Sequence, residues 1–352
     1  MEQEKETNIL ELVLRPAFLV KDGVVTQVNH AAYGLPLASG MHIQEVLLTG
    51  QTEYEALTDG CLYLQLSLGG TAQGASVTRT AAGDLFLLDD WADDRELRAM
   101  GLAARELRGP LSGIIAVSDH LLSGEHDPKQ QELLARMSRG LYQLQRILGN
   151  MSDAGQENFP SRRETRNISQ VFSDIFEKAA ALAQTAGAAI DYQGIEEPLW
   201  GLLDDDLMER AVFNMVCNSM KFLPKEGGRI HGELSRKGNT LCLSLQDNGS
   251  GIPNDLLPTV FQRYTRSPML EDSRYGLGLG MVLIRRAAEV HGGTVLIDRP
   301  QENGTRITLI IKIQQSSGTT FRTPKMDLTG GRDQALIELS QVLPIDAYKK
   351  EL

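Results

Sequence analysis

Three cysteines in 352 residues, Cys61, Cys217 and Cys242, are too few and too far apart for a disulfide framework. Their spacing is not that of a metal-ligand motif either, and they read as buried thiols of a reducing compartment. An excess of basic residues is also missing: 35 Lys and Arg stand against 46 Asp and Glu, a net charge of -11. General nucleic-acid binding needs a basic face, so no nucleic-acid partner is expected. No apolar run approaches the ~18–20 residues that span a bilayer. The acidic start MEQEKETN is not that of a signal peptide. No internal repeat is visible. These absences predict a cytoplasmic protein without a membrane span. What is present is ordinary for globular domains, 41% hydrophobic and 23% charged residues. The length predicts two or three domains at ~100–200 residues each.

The chain divides into four stretches. Residues 1–90 read as a small α+β module. Pro16 to Val20 and Val24-Val25 predict a strand pair turning at Asp22-Gly23, and Leu62, Leu64, Leu66 and Leu68 alternate at strand period. Residues 94–152 read as a helical hairpin. In its first helix Leu97, Met100, Ala104, Leu107, Leu111, Ile114 and Leu121 recur at three-and-four spacing with a gap at Ser118. Leu134, Met137, Leu141, Leu144, Leu148 and Met151 do so in the second, which Asp127 and Pro128 should open. Two such helices cannot bury their stripes alone, so pairing with another chain into a four-helix bundle is expected. Pro110 should kink the first helix. The polar stretch SDAGQENFPSR at 153–163 reads as a linker. Helices and strands then alternate over 165–315. A half-buried strand is expected at Leu241, Leu243 and Leu245, and a terminal hairpin around Asn303-Gly304. Residues 316–352 are a Ser/Thr/Gly-rich linker and a short helix from about Gln334 to Leu343, capped by Asp333 and stopped by Pro344. A docking helix and a partner-binding tail are equally open for it.

Chemistry concentrates in the third stretch. Asn214, Asn218 and Lys221 are four and three apart and share one helix face. Two amides and an ammonium there suit a hydrated magnesium ion and a triphosphate, although polar residues at this spacing are more often a solvated face. Asp247-Asn248-Gly249-Ser250-Gly251 follows the Leu241–Leu245 strand. Its carboxylate could accept a hydrogen bond from an adenine amino group, while the glycines let backbone pass close to the ring. Gly276-Leu277-Gly278-Leu279-Gly280 precedes a helical run, where freed backbone N–H groups and the helix dipole favour phosphate. Each motif alone is a common turn or loop.

In this order and spacing they closely resemble the catalytic domain of sensor histidine kinases. Asn214, Asn218 and Lys221 match its N-box, and Asp247, Gly249 and Gly251 its G1 box. Phe261 and Arg263 match its F-box, Gly276, Gly278 and Gly280 its G2 box, and Gly304-Thr305 its last glycine box. The resemblance covers roughly residues 94–314. It implies a multidomain α+β protein: a PAS-like α+β input module, suggested by PAFLVKDGVVTQVNHAA, a dimerisation hairpin forming a four-helix bundle, and an α/β sandwich holding ATP under a lid at about 266–275. ATP and Mg are the implied cofactors. Nucleotide would be held by Asn214, Asn218, Lys221, Asp247, Gly249, Gly251, Arg263, Gly276, Gly278, Gly280 and Thr305, with Asn218 and Asn214 toward the metal. His291, with its Gly-Gly neighbours, matches a structural turn of the family.

The hairpin departs from that pattern. Ala104 to Leu111 reads A-R-E-L-R-G-P-L, resembling the H-box, but Arg105 stands where the family's phosphoacceptor histidine lies. Arginine stays protonated and its guanidinium is a poor nucleophile. Glu106 keeps the position of the carboxylate that orients the histidine, and Gly109 replaces the residue that positions water for phosphatase activity. His120 lies fifteen residues beyond Arg105, roughly 22 Å along a helix. Asn214 also departs from the glutamate base of the related chaperone and mismatch-repair ATPases, which disfavours hydrolysis as the main chemistry. The leading expectation is a dimeric two-component signalling protein that binds Mg-ATP without phosphorylating itself at the usual place. The alternatives are an active protein-histidine kinase using another acceptor or a partner in trans, and a non-catalytic scaffold. Expected partners are a second copy or a histidine-bearing homologue, and a response regulator.

Overall fold

The computed structural model describes residues 9–349 except 90, 125, 156–160, 254–255, 262–277, 301–303 and 315–331, and the backbone alone at 9 and 91–94. The chain opens with β1 (Ala17–Lys21) and β2 (Val24–Val28) as an antiparallel hairpin. Asp22 and Gly23 both take positive φ, 53° and 77°, the requirement of a tight two-residue hairpin turn. A short helix α1 (Gln51–Ala56) and strands β3 (Cys61–Leu68), β4 (Thr71–Thr80) and β5 (Gly83–Leu88) complete this module. Leu62, Leu64, Leu66 and Leu68 all enter its core with Phe18, Val20 and Phe86. The opposite face of β3 is covered as well: Cys61 and Tyr63 belong to the core of the C-terminal half.

Helices α2 (Trp91–Leu122) and α3 (Pro128–Ala154) form the hairpin. The Asp127 side chain accepts from the Gln130 N–H and the Gln130 side chain accepts from the Asp127 N–H, a complete capping box. Pro110 sits inside α2 without ending it. The single stripe read along each helix resolves into two rows seven residues apart. Leu97, Ala104, Leu111 and Ser118 are buried on α2, and Leu141 and Leu148 on α3. Leu107, Ile114 and Leu121, with Met137 and Leu144, are exposed. Two helices offer each other one row; the other stays exposed among the described residues. At the base of the hairpin Gly101 and Gly155 let the backbones meet, since a Cβ on Gly155 would lie 2.4 Å from the Leu97 carbonyl oxygen.

The remainder alternates: β6 (Glu164–Asn167), α4 (Ile168–Thr185), β7 (Ala189–Gln193), β8 (Trp200–Leu203), α5 (Asp205–Phe222), β9 (Arg229–Lys237), β10 (Thr240–Asp247), α6 (Leu279–Val290), β11 (Thr294–Asp298) and β12 (Arg306–Lys312). Leu241, Leu243 and Leu245 point into a core shared with Phe172, Phe176, Phe213, Ile307 and Leu309. β11 and β12 form the expected terminal hairpin. The two halves share one ten-stranded sheet, ordered β2-β1-β5-β4-β3-β11-β12-β10-β9-β7, while β6 and β8 pair separately. The junction is antiparallel, with Tyr63 opposite Val295 and Cys61 opposite Ile297. Two edge strands that would otherwise expose unpaired N–H and C=O groups thereby satisfy each other. The chain ends in α7 (Gln334–Glu338), shorter than the sequence suggests, and a 3-10 turn at Ile345–Tyr348. Asp333 caps α7 through the Ala335 N–H.

Candidate nucleotide site

Helix α5 starts where Asp204 accepts the Leu207 N–H at 3.1 Å and carries Asn214, Asn218 and Lys221 on one side. Asn214 is fully buried. Its Nδ2 donates to the Arg210 carbonyl at 2.8 Å and to Glu338 Oε2 at 3.1 Å, and its Oδ1 accepts from Arg146 Nη2 at 3.1 Å. Asn218, half-buried, makes no side-chain hydrogen bond among the described residues. Burial pushes the half-buried Lys221 ammonium below the usual lysine range, and the nearby Arg146 guanidinium adds to the effect. Gly278, with φ 73°, opens α6, and a Cβ on Gly280 would lie 2.7 Å from Asn214 Oδ1. The N-terminus of α6 thus rests directly on the buried asparagine.

Across the site, β10 ends at Asp247, whose Oδ1 accepts the Gly249 N–H at 2.9 Å and the Thr305 N–H at 3.1 Å. Burial raises this carboxyl's pKa above the ordinary aspartate range, and the two N–H donors oppose the shift. The glycines here are contact requirements. A Cβ on Gly304, at φ 99°, would sit 1.9 Å from the Asp247 carbonyl oxygen, and one on Gly249 would sit 2.7 Å from that of Phe222. Asp247, Gly249, Gly251, Gly304 and Thr305 are therefore one interlocked turn, though two segments of sequence supply it.

The other expected residues divide. Phe261 is buried against Tyr63, ring centroids 5.6 Å apart. Arg263, Gly276 and the lid at 266–275 lie outside the described residues. Arg105, Glu106 and Gly109 are exposed on α2, as is His120 near its far end, while His126, just beyond the helix, is half-buried with its ring against the Leu121 carbonyl. His291 is buried: its Nε2 accepts the Asp204 N–H at 3.1 Å and its Nδ1 donates to the Ala287 carbonyl at 2.7 Å. That arrangement holds a neutral ring bridging α6 to the start of α5.

Three residues that sequence reading passed over stand beside Asn214. Arg210 pairs with Glu338 at 2.9 Å and with Asp153, and its Nη2 reaches Asn150 at 3.1 Å. Arg146 pairs with Glu338 at 3.4 Å. Arg210, one turn before Asn214, was findable from helical spacing; Arg146 and Glu338 carry no local signal. Among the described residues no cluster of three or more His, Cys, Asp or Glu could hold a metal ion. A cation in this site would rest on amide oxygens and on the phosphates it accompanies.

Residues 203–315 match the family described as histidine kinase-, DNA gyrase B-, and HSP90-like ATPase. Over 247 residues the chain is 28% identical to the hybrid signal transduction histidine kinase D of Dictyostelium discoideum, covering 67% of this chain and 15% of that protein. Over 241 residues it is 26% identical to the adaptive-response sensory kinase SasA of Synechocystis sp., covering 63% of this chain and 62% of that protein. Among solved structures, full-length ShkA in complex with AMPPNP is similar in fold, with a TM-score of 0.50 at 18% identity over 62% of this chain and 46% of that one. The chain spans less than two thirds of the length of each of these relatives. Residues 203–315 thus form a domain of that ATPase family, and over a longer stretch the chain is similar to sensor histidine kinases. Its mixed α+β architecture carries that family's ATPase-type domain, and no helix among the described residues is long and apolar enough to cross a membrane.

Proposed function

We propose that this chain is a two-component signalling protein that binds Mg-ATP and does not phosphorylate itself at the position usual in its family. The observation that carries this reading is the contrast between two sites. The turn around Asp247 has no room for side chains at Gly249 and Gly304, while Arg105 stands exposed on α2 where a nucleophile would be needed. Asp247 would accept the adenine amino group through the oxygen not used by Gly249 and Thr305. The N–H groups at the start of α6 and the Lys221 ammonium would hold phosphates. Asn218 fits a magnesium ligand best, because its amide makes no other hydrogen bond among the described residues. Asn214 fits less well, since its oxygen already accepts from the Arg146 guanidinium, a cation. The bound ion would screen phosphate charge; Arg263, Gly276 and Thr305 remain candidates for further nucleotide contacts.

The exposed rows on α2 and α3 support pairing with a second copy, or with a homologue whose histidine could accept phosphate in trans. The bundle so formed would be the four-helix type. The N-terminal α+β unit would be a PAS-like input module, and a response regulator the downstream partner. The absence of a membrane-spanning helix among the described residues is in keeping with action in the cytoplasm.

The test is incubation with magnesium and γ-phosphate-labelled ATP, beside a nucleotide titration of the same sample. Binding without label is the expected result. Acid-labile, alkali-stable label on wild-type protein would establish an active kinase with another acceptor, and no binding at all would leave a scaffold. Arg105→His is expected to gain label if Glu106 and the ATP domain retain their family geometry.

A further inference from the structure

The C-terminal segment is built into the molecule. Ala335, Leu339, Leu343 and Tyr348 are buried in the core to which α5 contributes. On its other side the segment grips α3: Arg139 Nε and Gln143 Nε2 donate to the Ser340 carbonyl at 3.2 and 3.0 Å. The Tyr142 and Tyr348 rings meet edge-on at 5.1 Å, and the Arg332 guanidinium lies 4.6 Å over the Tyr142 ring. A stretch outside the family's matched residues is thus wedged between the hairpin and the ATP-type domain.

Glu338 is the centre of the wedge. It is 1% exposed, and its carboxylate touches Arg210 at 2.9 Å, Arg146 at 3.4 Å, Asn214 Nδ2 at 3.1 Å and Gln334 Nε2 at 2.9 Å. A carboxylate so deeply buried is tolerable only while its cationic partners stay in place. Those partners come from α3 and α5, so the carboxylate holds the two elements together. It also lies one residue away from the phosphate end of the site, because the amide it engages is the one on which Gly280 rests. A second anion arriving there, the terminal phosphate of ATP, would meet a fixed negative charge and would compete for the same two guanidinium groups.

We propose that residues 332–349 are a latch on the nucleotide site, with Glu338 acting as an intramolecular anion that occupies Arg146, Arg210 and Asn214. Docking of this segment and binding of Mg-ATP oppose each other. With the latch closed, α3 is tied to α5 and the ATP domain is fixed against the hairpin; with it open, two arginines and an asparagine become available to phosphate. The inference rests on the nucleotide-site reading above and adds regulation to it.

The experiment has two arms. A fluorescent ATP analogue with magnesium is titrated into the full chain, into Glu338→Gln, and into Tyr348→Ala, which loosens docking without touching the polar cluster. If the latch leaves about one chain in ten competent, opening it raises apparent affinity about tenfold, and both variants should show that gain. In parallel, hydrogen exchange of the amides of 333–348 is followed in the wild-type chain, which needs no variant to fold. Saturating Mg-ATP should speed their exchange. Equal affinity of all three proteins, or exchange unchanged by Mg-ATP in a chain that binds it, overturns the latch and leaves nucleotide binding standing. No binding by any of the three removes both.

Discussion

The Arg285 guanidinium lies 4.5 Å above the centre of the Tyr63 ring, joining α6 of the ATP-type domain to β3 of the N-terminal module. Arg285 also pairs with Asp89 at 2.9 Å. The Tyr63 hydroxyl stands 2.8 Å from Asp89 and 2.7 Å from Glu289, and its one proton serves one carboxylate at a time. Burial, reinforced by the two carboxylates, raises the Tyr63 pKa well above the usual phenol value. Together with the β3–β11 pairing, this cluster makes the module junction a packed core. A displacement of the N-terminal module would be felt along α6, whose first residues frame the candidate nucleotide site.

Arg285→Met should therefore loosen the junction. Removing one member of a buried ion pair costs roughly 3 kcal/mol, here lessened by the partial exposure of Asp89. Limited proteolysis and hydrogen exchange should show β3 and β11 opening together. Protection of β3 equal to wild type would mean that strand pairing alone carries the junction.

Asp247→Asn separates structure from recognition. The Asn oxygen can still accept the Gly249 and Thr305 N–H groups, whereas its amino group would face a donor on adenine. Loss of a hydrogen bond to a charged group, at about 1.5–3 kcal/mol, predicts roughly 10- to 100-fold weaker ATP binding with an unchanged denaturation midpoint. An unaltered affinity in the titration would place adenine elsewhere.

Leu107 and Ile114 are 54% and 56% exposed on the unpartnered row of α2. If a second copy covers them, Ile114→Ala forfeits roughly 2 kcal/mol per chain. Since both copies change, the dimer Kd should rise about a thousandfold. Light scattering across a dilution series reads this directly, and a wild-type chain that stays monomeric at high concentration would refute self-pairing.

Stability should fall with acidification through His291. Burial holds its pKa below the ordinary histidine value, against the opposing pull of the Ala287 carbonyl and Asp204. The unfolded ring takes up a proton near pH 6.5 while the folded ring does not, so the contribution is complete above about pH 6.5 and is lost as pH drops toward the folded pKa. The slope reaches at most about 1.4 kcal/mol per pH unit. Urea midpoints should decline across that window in the wild type and decline less in His291→Gln.

Much of this molecule is written locally. The Asp22-Gly23 turn, the Asp127 N-cap before Pro128 and the alternation of Leu241, Leu243 and Leu245 each depend on a few neighbouring residues, and each formed as its sequence suggests. The hairpin stripes were legible as amphipathic but not as two rows, because the periodicity of one helix does not say which of its faces the neighbour takes. The Tyr63–Val295 pairing was not legible: any edge strand can pair with any other, and the choice follows from where α2 and α3 carry the first module.

The sequence by itself determined the turn around Asp247 and the arginine at position 105. Gly249, Gly278 and Gly304 stand where close approach or positive φ excludes a side chain, and Arg105 is a matter of covalent identity. Only the tertiary structure decided that Asn214 is engaged by Glu338, 124 residues further along the chain. A buried carboxylate is placed by the sum of its partners, and those partners, on α3 and α5, come together only when the whole chain has folded.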